Sequence, residues 1–356
     1  MSITTPFKQI DLKIIKEINS NLLPYHIVPC FDGGFLVQYK DSCLVSRYDP
    51  NYNLLWEKEI GILPHQYSSF KLTFGRFIGV HGTNAVLIYD DKANLLYKQD
   101  HSPWEFHESS DCFFASPDSE GNEYIWFYIP ENGGARLQVL DASNFAVIDS
   151  IWQEETDYHY SFHSTPDSNK IFIHLAAGQD GCQLLEAQLI DQKISLKALH
   201  QCNDLSIWSF SPNGKEAIFT DPYGLGRIVL FSFPDMEILA ETDEEELFAD
   251  RDEFPAANTD SIEDPACFLS DNIIMIRTGY GRFLLVDRTT LQCIGEMRPE
   301  GCHINAFDHR DEELTDATII MDYDHDIFDV TVTEKGQLII ITSSNGIKIY
   351  HLPKEL

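Results

Sequence analysis

The stretch SFSPNGKEAIFTDPYGLGRIVLFSFPDMEIL, Ser209–Leu239, contains three turn-forming segments that separate short apolar runs. SPNGK, PYGLG and FPDM supply the Pro, Gly, Asn and Asp residues that favour tight turns between antiparallel strands. The intervening runs are EAIFT and RIVLFSF, with LSIWSF before them and EILAE after them, and they are rich in β-branched and aromatic residues. Together they predict a small antiparallel sheet of four strands, each about five residues long.

The same unit can be laid on six other parts of the chain, which predicts a repeat architecture. The last unit has only three predicted strands. The alternating segment TPFKQIDLKII, residues 5–15, is predicted to supply its fourth strand and so to close a ring. The six other units cover residues 26–60, 68–100, 108–151, 160–199, 265–297 and 326–352.

Two kinds of motif recur in these units. Ser/Thr-Pro-Asp/Asn turns follow several first strands, and an apolar-Asp step ends several third strands, where WD repeats carry Trp-Asp. The chain therefore resembles a seven-bladed β-propeller of the WD-repeat and YVTN type, although Trp is absent from the step. NLLWEKEI, residues 53–60, resembles an outer strand of quinoprotein-like propellers. We interpret this segment as occurring once in the chain, so this resemblance is discounted. The motifs are Ser116-Pro117-Asp118, Thr165-Pro166-Asp167, Ser211-Pro212-Asn213-Gly214, Tyr48-Asp49, Tyr89-Asp90, Leu140-Asp141, Ile190-Asp191 and Val286-Asp287.

The resemblance implies an all-β fold with residues 1–356 in a single propeller domain of four-stranded antiparallel blades. Two segments are too long for hairpin turns, and we interpret them as insertions: an acidic one at about 241–264 and a second at about 298–325. Long loops in compact folds are usually functional or disordered. Trp104, Trp126, Trp152 and Trp208 are expected to pack in the core.

The charge of the chain restricts its partners. The formal net charge is -32, from 57 acidic against 25 basic residues. Such a chain is repelled by phosphate backbones and anionic lipids, so we expect no nucleic acid or membrane partner, but rather a protein with a basic surface. We expect a monomer. The amino terminus lacks the apolar run of a secretory signal, which favours a cytoplasmic protein.

The eight cysteines are scattered, mostly inside apolar runs, and contain no Cys-x-x-Cys pair. This distribution is typical of reduced, buried thiols in the cytosol rather than of a disulfide framework or a zinc site. It agrees with the expected cytoplasmic location.

The acidic insertion is the main candidate for binding a partner. Aromatic residues among its carboxylates are possible anchors on a basic surface, although a flexible, solvated insertion is the alternative interpretation. The candidate residues are Glu244, Glu245, Glu246, Phe248, Asp252 and Phe254.

A metal site is a second hypothesis. Alternation along a strand would place Asp322, Asp324 and Asp326 on one face, beside His325, and carboxylate oxygens suit calcium or another divalent cation. Histidines also stand near the start of several predicted first strands, where a propeller has one mouth of its channel. A solvated acidic loop and locally hydrogen-bonded histidines are the structural alternatives. The histidines are His26, His65, His107, His159 and His325.

Two functions remain open from the sequence. The first is a non-enzymatic interaction platform that uses the channel mouth and the acidic loops, without a cofactor. The second is a divalent-cation-dependent hydrolase of the propeller-lactonase type, in which the ion polarises a carbonyl group and activates water. No Gly-x-Ser-x-Gly or P-loop motif is present, and no catalytic residue is assigned. We favour the platform.

Overall fold

The structure of the protein is a computed structural model. The strands form seven sheets, and the chain divides into two compact units. The described residues are 7–30, 32–40, 42–60, 71–73, 77–81, 84–104, 109–110, 114–117, 121–131, 133–154, 159–176, 182–202, 206–221, 226–248, 261–278, 281–301, 327–333, 336–342 and 346–353.

One unit comprises residues 24–203 and 333–335 and contains sheets 1 to 4. Each sheet has four antiparallel strands in chain order, and in sheet 4 the two-residue strand β11 adds a fifth by parallel pairing with β16. The strands are β3 (Pro24–Pro29), β4 (Phe35–Tyr39), β5 (Leu44–Tyr48) and β6 (Leu54–Glu59) in sheet 1; β7 (Lys71–Thr73), β8 (Phe77–His81), β9 (Ala85–Asp90) and β10 (Leu95–Asp100) in sheet 2; β12 (Phe114–Pro117), β13 (Glu123–Glu131), β14 (Gly134–Asp141) and β15 (Val147–Gln153) in sheet 3; and β11 (Ser109–Ser110), β16 (His159–Ser164), β17 (Lys170–Ala176), β18 (Cys182–Ile190) and β19 (Lys193–Cys202) in sheet 4.

The other unit comprises residues 1–23, 204–332 and 336–356 and contains sheets 5 to 7. It also contains α1, the one α-helix among the described residues. The elements are β20 (Ser206–Phe210), β21 (Glu216–Asp221), β22 (Arg227–Ser232), β23 (Ile238–Asp243) and α1 (Glu244–Phe248) in and after sheet 5; β24 (Ile262–Phe268), β25 (Ile273–Thr278), β26 (Phe283–Asp287), β27 (Cys293–Pro299) and β1 (Lys8–Leu12) in sheet 6; and β28 (Ile327–Val332), β29 (Gln337–Thr342), β30 (Gly346–His351) and β2 (Ile14–Asn19) in sheet 7.

The stretch from Ser209 to Leu239 folds as predicted. It runs through the four antiparallel strands of sheet 5. In the SPNGK turn the Gly214 N–H donates to the Ser211 carbonyl at 2.8 Å, and Gly214 has a φ of 69°. Glycine adopts this left-handed conformation without steric cost, and that is why the turn carries Asn-Gly.

The amino terminus supplies the fourth strand of sheet 7, as predicted, but with a later segment. The strand is β2, which pairs antiparallel with β30, whereas the prediction was residues 5–15. Most of that earlier segment forms β1, which pairs parallel with β27 and gives sheet 6 a fifth strand. Both segments alternate in polarity, so the pattern alone did not distinguish the closing strand from the added one.

A β-bulge recurs at the second residue of the fourth strand in six of the seven sheets. In each case one residue of the fourth strand has no partner in the register with the third strand, which bends the edge. The repeat includes NLLWEKEI and NLLYKQD, so treating NLLWEKEI as a single occurrence was wrong. The bulged residues are Ile15, Leu55, Leu96, Ile148, Leu239 and Ile294.

The apolar-Asp steps have a structural role in the turns between third and fourth strands. The Asp90 carboxylate accepts hydrogen bonds from the Lys92 N–H at 3.0 Å and the Asn94 N–H at 2.7 Å. Asp49, Asp141 and Asp287 accept equivalent bonds. A carboxylate that accepts backbone N–H bonds fixes the turn in the way an Asx-turn does. In sheet 5, Ser232 takes this place and accepts from the Glu237 N–H at 3.0 Å.

The pKa values of these carboxyl groups are lowered by the same hydrogen bonds. The Asn53 N–H and side chain lower the pKa of Asp49, and the Ser143 hydroxyl and N–H lower that of Asp141. At Asp90, burial acts in the opposite direction, but the bonds from Asn94 and Lys92 outweigh it and the pKa is again lowered. The folded state therefore holds these protons less tightly than the unfolded state does.

We expect the Asp49, Asp90 and Asp141 turns to lose their contribution to stability in acid. A carboxyl group with a lowered folded pKa stabilises the fold above its unfolded pKa, about 3.9, and this stabilisation disappears as the pH falls through the folded value. Urea midpoints of a D49N/D90N/D141N variant should therefore depend less on pH between about 5 and 2 than those of the wild type. The matched control D11N/D100N/D235N removes the same number of negative charges outside these three turns. If the urea midpoints of both variants lost the same amount of pH dependence, the turn carboxylates would not be its source.

The core lies between neighbouring sheets within each unit. Clusters of buried aliphatic and aromatic side chains fill the spaces between sheets 1 and 2, 2 and 3, and 3 and 4. In the other unit they lie between sheets 5 and 6 and sheets 6 and 7. Trp104 and Trp126 are buried as predicted, but Trp152 is 41% exposed and that prediction was wrong. The Trp208 side chain lies outside the described atoms.

The cysteines correct one expectation. Cys30, Cys43, Cys267 and Cys293 are free, and burial raises the pKa of Cys30 to about 12. Cys182, however, is disulfide-bonded. The register of β18 and β19 places residue Cys202 directly opposite it. The expectation of a fully reduced set was therefore wrong at Cys182.

Candidate functional site

The first predicted insertion begins later than expected, and the structure describes residues 241–248 and 261–264 of it. Residues 241–243 complete strand β23, helix α1 follows at once, and β24 begins at Ile262. Of the six predicted partner-binding residues, Asp252 and Phe254 lie outside the described residues. The second insertion also begins later, because β27 continues to Pro299.

Helix α1 begins at a side-chain cap. The Asp243 carboxylate accepts a hydrogen bond from the Glu246 N–H at 2.8 Å, so Asp243 serves as the N-cap. The first turn contains Glu244, Glu245 and Glu246, whose negative charges suit the positive end of a helix dipole. The run TDEEE therefore encodes a helix start, whereas the prediction for this segment was an acidic insertion without a helix.

The helix is fixed to the fold by three of its five residues. Glu244 accepts a hydrogen bond from the Ile262 N–H at 2.8 Å. Leu247 is buried in the cluster between sheets 5 and 6, and Phe248 packs against the same cluster. Burying a leucine contributes about 1.5–3 kcal/mol, which matters because so short a helix is not stable alone. Phe248 is thus part of the core contact.

Six exposed residues of β23 and α1 form a second group, which we call the acidic edge. It combines two exposed aliphatic residues at the start of β23 with four exposed carboxylates that follow them along the strand and helix. The acidic edge consists of Ile238, Leu239, Glu241, Asp243, Glu245 and Glu246.

Few basic groups counter this charge. Residues 233–250 contain no Lys or Arg. Arg227 has its Nη1 atom 3.8 Å from Glu241, but its Nε lies 3.2 Å from the buried Asp221 carboxylate, so its charge is shared. The acidic edge therefore presents negative charge beside exposed apolar surface, a combination suited to a partner with both basic and apolar side chains.

The exposure of Ile238 and Leu239 was not predicted. Both were expected in the fourth strand of the unit, but their alternation gave no sign that two consecutive side chains would be exposed. The bulge at Leu239 makes this possible, since two consecutive residues no longer alternate strictly between the faces. The recurring aliphatic pairs Leu54-Leu55 and Leu95-Leu96, also exposed, were the available signal.

The metal hypothesis is not tested by the structure. Asp322, Asp324, His325 and Asp326 lie outside the described residues, as do His65 and His107. His26 lies in β3 and His159 in β16, each near the start of a first strand as predicted. In the part of the chain that the structure describes, no three His, Cys, Asp or Glu side chains come together as ligands for an ion.

A separate polar cluster lies at the end of sheet 2. The Trp104 indole N–H donates to His81 Nε2 at 3.1 Å, and His101 Nε2 lies 3.1 Å from the same atom. His101 Nδ1 lies 2.6 Å from the Ser102 carbonyl, which fixes Nδ1 as a donor. Burial lowers the pKa of His101. These contacts give the buried Trp104 a partner for its N–H group.

Comparisons with known proteins place the fold but not a family. No protein-family model matches the chain, and no curated protein matches it. Among solved structures it is similar to the hydrazine synthase of Kuenenia stuttgartiensis, at 12% identity and a TM-score of 0.59, over 95% of this chain and 98% of that one. BamB from Moraxella catarrhalis matches at 10% identity and a TM-score of 0.56, over 96% and 100% of the two chains. A Dos1 propeller matches at 12% identity and a TM-score of 0.57, over 97% and 96%.

These similarities, with the seven sheets that each contain four antiparallel strands, confirm the seven-bladed β-propeller. They do not confirm the WD-repeat or YVTN type, because no family model matches. At such low identity they show the fold alone. The described residues include no helix long and apolar enough to cross a membrane.

Proposed function

We propose that this protein is a non-enzymatic protein-interaction platform whose acidic edge binds a partner with a basic surface. The observation that carries the proposal is the anchoring of α1. Because Glu244, Leu247 and Phe248 fix the helix, Glu245 and Glu246 are held at the surface before any partner arrives. A pre-organised site loses less conformational entropy on binding, so more of its interaction energy appears as affinity.

The charge of the whole chain supports the same function. A net charge of -32 attracts basic partners over a distance and accelerates their encounter. We further propose that the protein acts as a cytoplasmic monomer, without a cofactor and without nucleic acid or membrane partners. The similar structures do not decide between platform and enzyme, since one of them carries an enzyme name.

The proposal can be tested by site-specific crosslinking. We would replace Glu245 with the photoreactive residue p-benzoylphenylalanine, and in a separate control place it at Glu59, an exposed acid on the fourth strand of sheet 1. Both proteins are irradiated in extracts of the cells that naturally make the protein. We expect a protein to be captured at position 245 that is not captured at 59.

Crosslinking at position 245 should also be lost when the salt concentration is raised, because salt screens the attraction of a docking surface made of exposed charges. The added charge reversal E246K should abolish capture for the same reason, whereas E57K should not. Equal capture at positions 245 and 59, or capture unaffected by E246K, would contradict the proposed function.

A further inference from the structure

Sheet 6 shows how the edge of a fourth strand can accept another strand in this protein. Strand β1 pairs parallel with β27 along its whole length, from Lys8 opposite Gly295 to Leu12 opposite Pro299. The pairing begins directly after the bulge at Ile294. The bulge therefore does not prevent strand addition, although bulges often protect exposed edges.

Strand β23 is the equivalent edge of the neighbouring sheet 5. Its bulge at Leu239 occupies the same place in the register as Ile294, so that Ala240 corresponds to Gly295 and Glu241 to Glu296. Within the described residues, β23 is the terminal strand of its sheet. The two edges have the same backbone design, but only one of them carries a described fifth strand.

Burial at corresponding positions reflects this difference. The Glu296 side chain, beside β1, is 6% exposed, whereas that of Glu241 is 58% exposed. Leu239 is 48% exposed, whereas Ile294 packs against the core cluster between sheets 6 and 7. Among the described residues, the Leu239 and Glu241 side chains of β23 are thus exposed where the corresponding side chains of β27 are covered.

The side chain after the bulge limits which other edges could accept a strand in this way. A Cβ atom at position 295 would collide with the Lys8 carbonyl of β1, so that close pairing there requires glycine. In the other edges with an early bulge, the corresponding residues include the bulky Trp56 and Tyr97. Ala240 carries one methyl group, so a strand on β23 can begin to pair one residue later, at Glu241.

From this geometry we propose that a partner adds an extended segment to β23, parallel to it and beside Glu241–Asp243. This inference rests on the proposed function and names its binding mode. Successive side chains of a strand alternate between faces, so Glu241 and Asp243 lie on the same side. Cross-strand pairs of opposite charge are favourable, so the segment has Lys or Arg at every second position. An apolar residue precedes them and contacts Ile238 and Leu239.

The test uses a fluorescent, terminally blocked peptide, Leu-Val-Lys-Val-Lys-Val-Gly, and the full-length protein, with binding followed by anisotropy. A second peptide has the same sequence with three N-methylated valines, which keep the charge of the peptide but remove the backbone N–H donor of each valine. We expect the unmodified peptide to bind about tenfold more tightly, the effect of two backbone bonds at roughly 0.7 kcal/mol each.

Protein variants separate strand addition from charge attraction. A240G changes no charge but removes the methyl group that limits pairing, and should strengthen binding about threefold, the effect of roughly one further backbone bond. E241K should weaken binding about tenfold, as expected for a close ion pair that becomes a repulsion. The matched charge reversal E59K, on the edge of sheet 1, should leave binding within about twofold of the wild type because it lies outside the proposed contact.

Each other result overturns the strand-addition proposal. Equal binding of the two peptides would show attraction by charge alone and would leave the proposed function standing. The same conclusion holds if neither peptide binds although position 245 captures a partner. Binding that requires deletion of residues 249–260 would assign the edge to the chain's own segment. Dimerisation that E241K abolishes in sedimentation experiments would assign it to a second copy.

Discussion

Replacing Glu296 with leucine should lower the free energy of unfolding by about 3–5 kcal/mol, the usual loss when one partner of a buried ion pair is removed. Glu296 is buried in sheet 6, and its Oε2 atom lies 3.7 Å from Nη1 of Arg282, whose side chain is only 4% exposed. Arg298 contacts the same carboxylate from the exposed side. Without Glu296, the buried Arg282 guanidinium would lose this carboxylate from its surroundings.

The double variant R282M/E296L provides the control, measured with E296L by urea denaturation. Removing both charges leaves no uncompensated ion, so much of the lost stability should return. R298M removes the exposed partner only and should cost less than about 1 kcal/mol. If E296L and the double variant were equally unstable, the loss would come from packing at position 296, and the charge explanation would be wrong.

The substitution G295A should lower the free energy of unfolding by about 1–3 kcal/mol, the typical cost of overpacking. Replacing glycine with alanine within a strand normally raises the free energy of unfolding by roughly 0.5–1 kcal/mol. The change expected for G295A therefore has the opposite sign. The reason is that the added Cβ atom would meet the Lys8 carbonyl of β1. We expect β1 to separate from β27, and trypsin to cleave after Lys8 and Lys13 faster than in the wild type.

A truncated background isolates this effect. Deleting residues 1–12 removes β1 but keeps β2, the fourth strand of sheet 7. In that background G295A should be neutral or stabilising, because the atom it would collide with is gone. A loss that persists after the truncation would show that the glycine is needed for another reason, such as its packing inside sheet 6.

Much of the fold follows from local sequence signals. Tight turns depend on a few neighbouring residues, so the SPNGK turn and the Asp90 turn could be located before any pairing was known. Alternating runs of about five residues then fixed the strands between them. The closing strand was placed too early because β1 and β2 have similar alternation, and their partners lie nearly a full chain length away.

The candidate site was predictable only in part. The acidic run at Glu244–Glu246 was visible in the sequence, and Glu245 and Glu246 are exposed as a docking surface requires. The sequence did not reveal that Phe248 packs on the core or that Leu239 is exposed. Both depend on the bulge and on the start of α1, which set the direction of each side chain.

By itself, the sequence determined the all-β fold class and the repeat, which is seven groups of short antiparallel strands in an acidic chain. Each of these features depends on residues only a few positions apart. The tertiary structure decided which edges are covered. It placed β1 on β27, left the edge of β23 without a described partner strand, and brought Cys202 opposite Cys182. The physical reason is that turn and strand preferences act locally, whereas burial of an edge depends on which distant segment packs there and on whether residues such as Gly295 leave room for it.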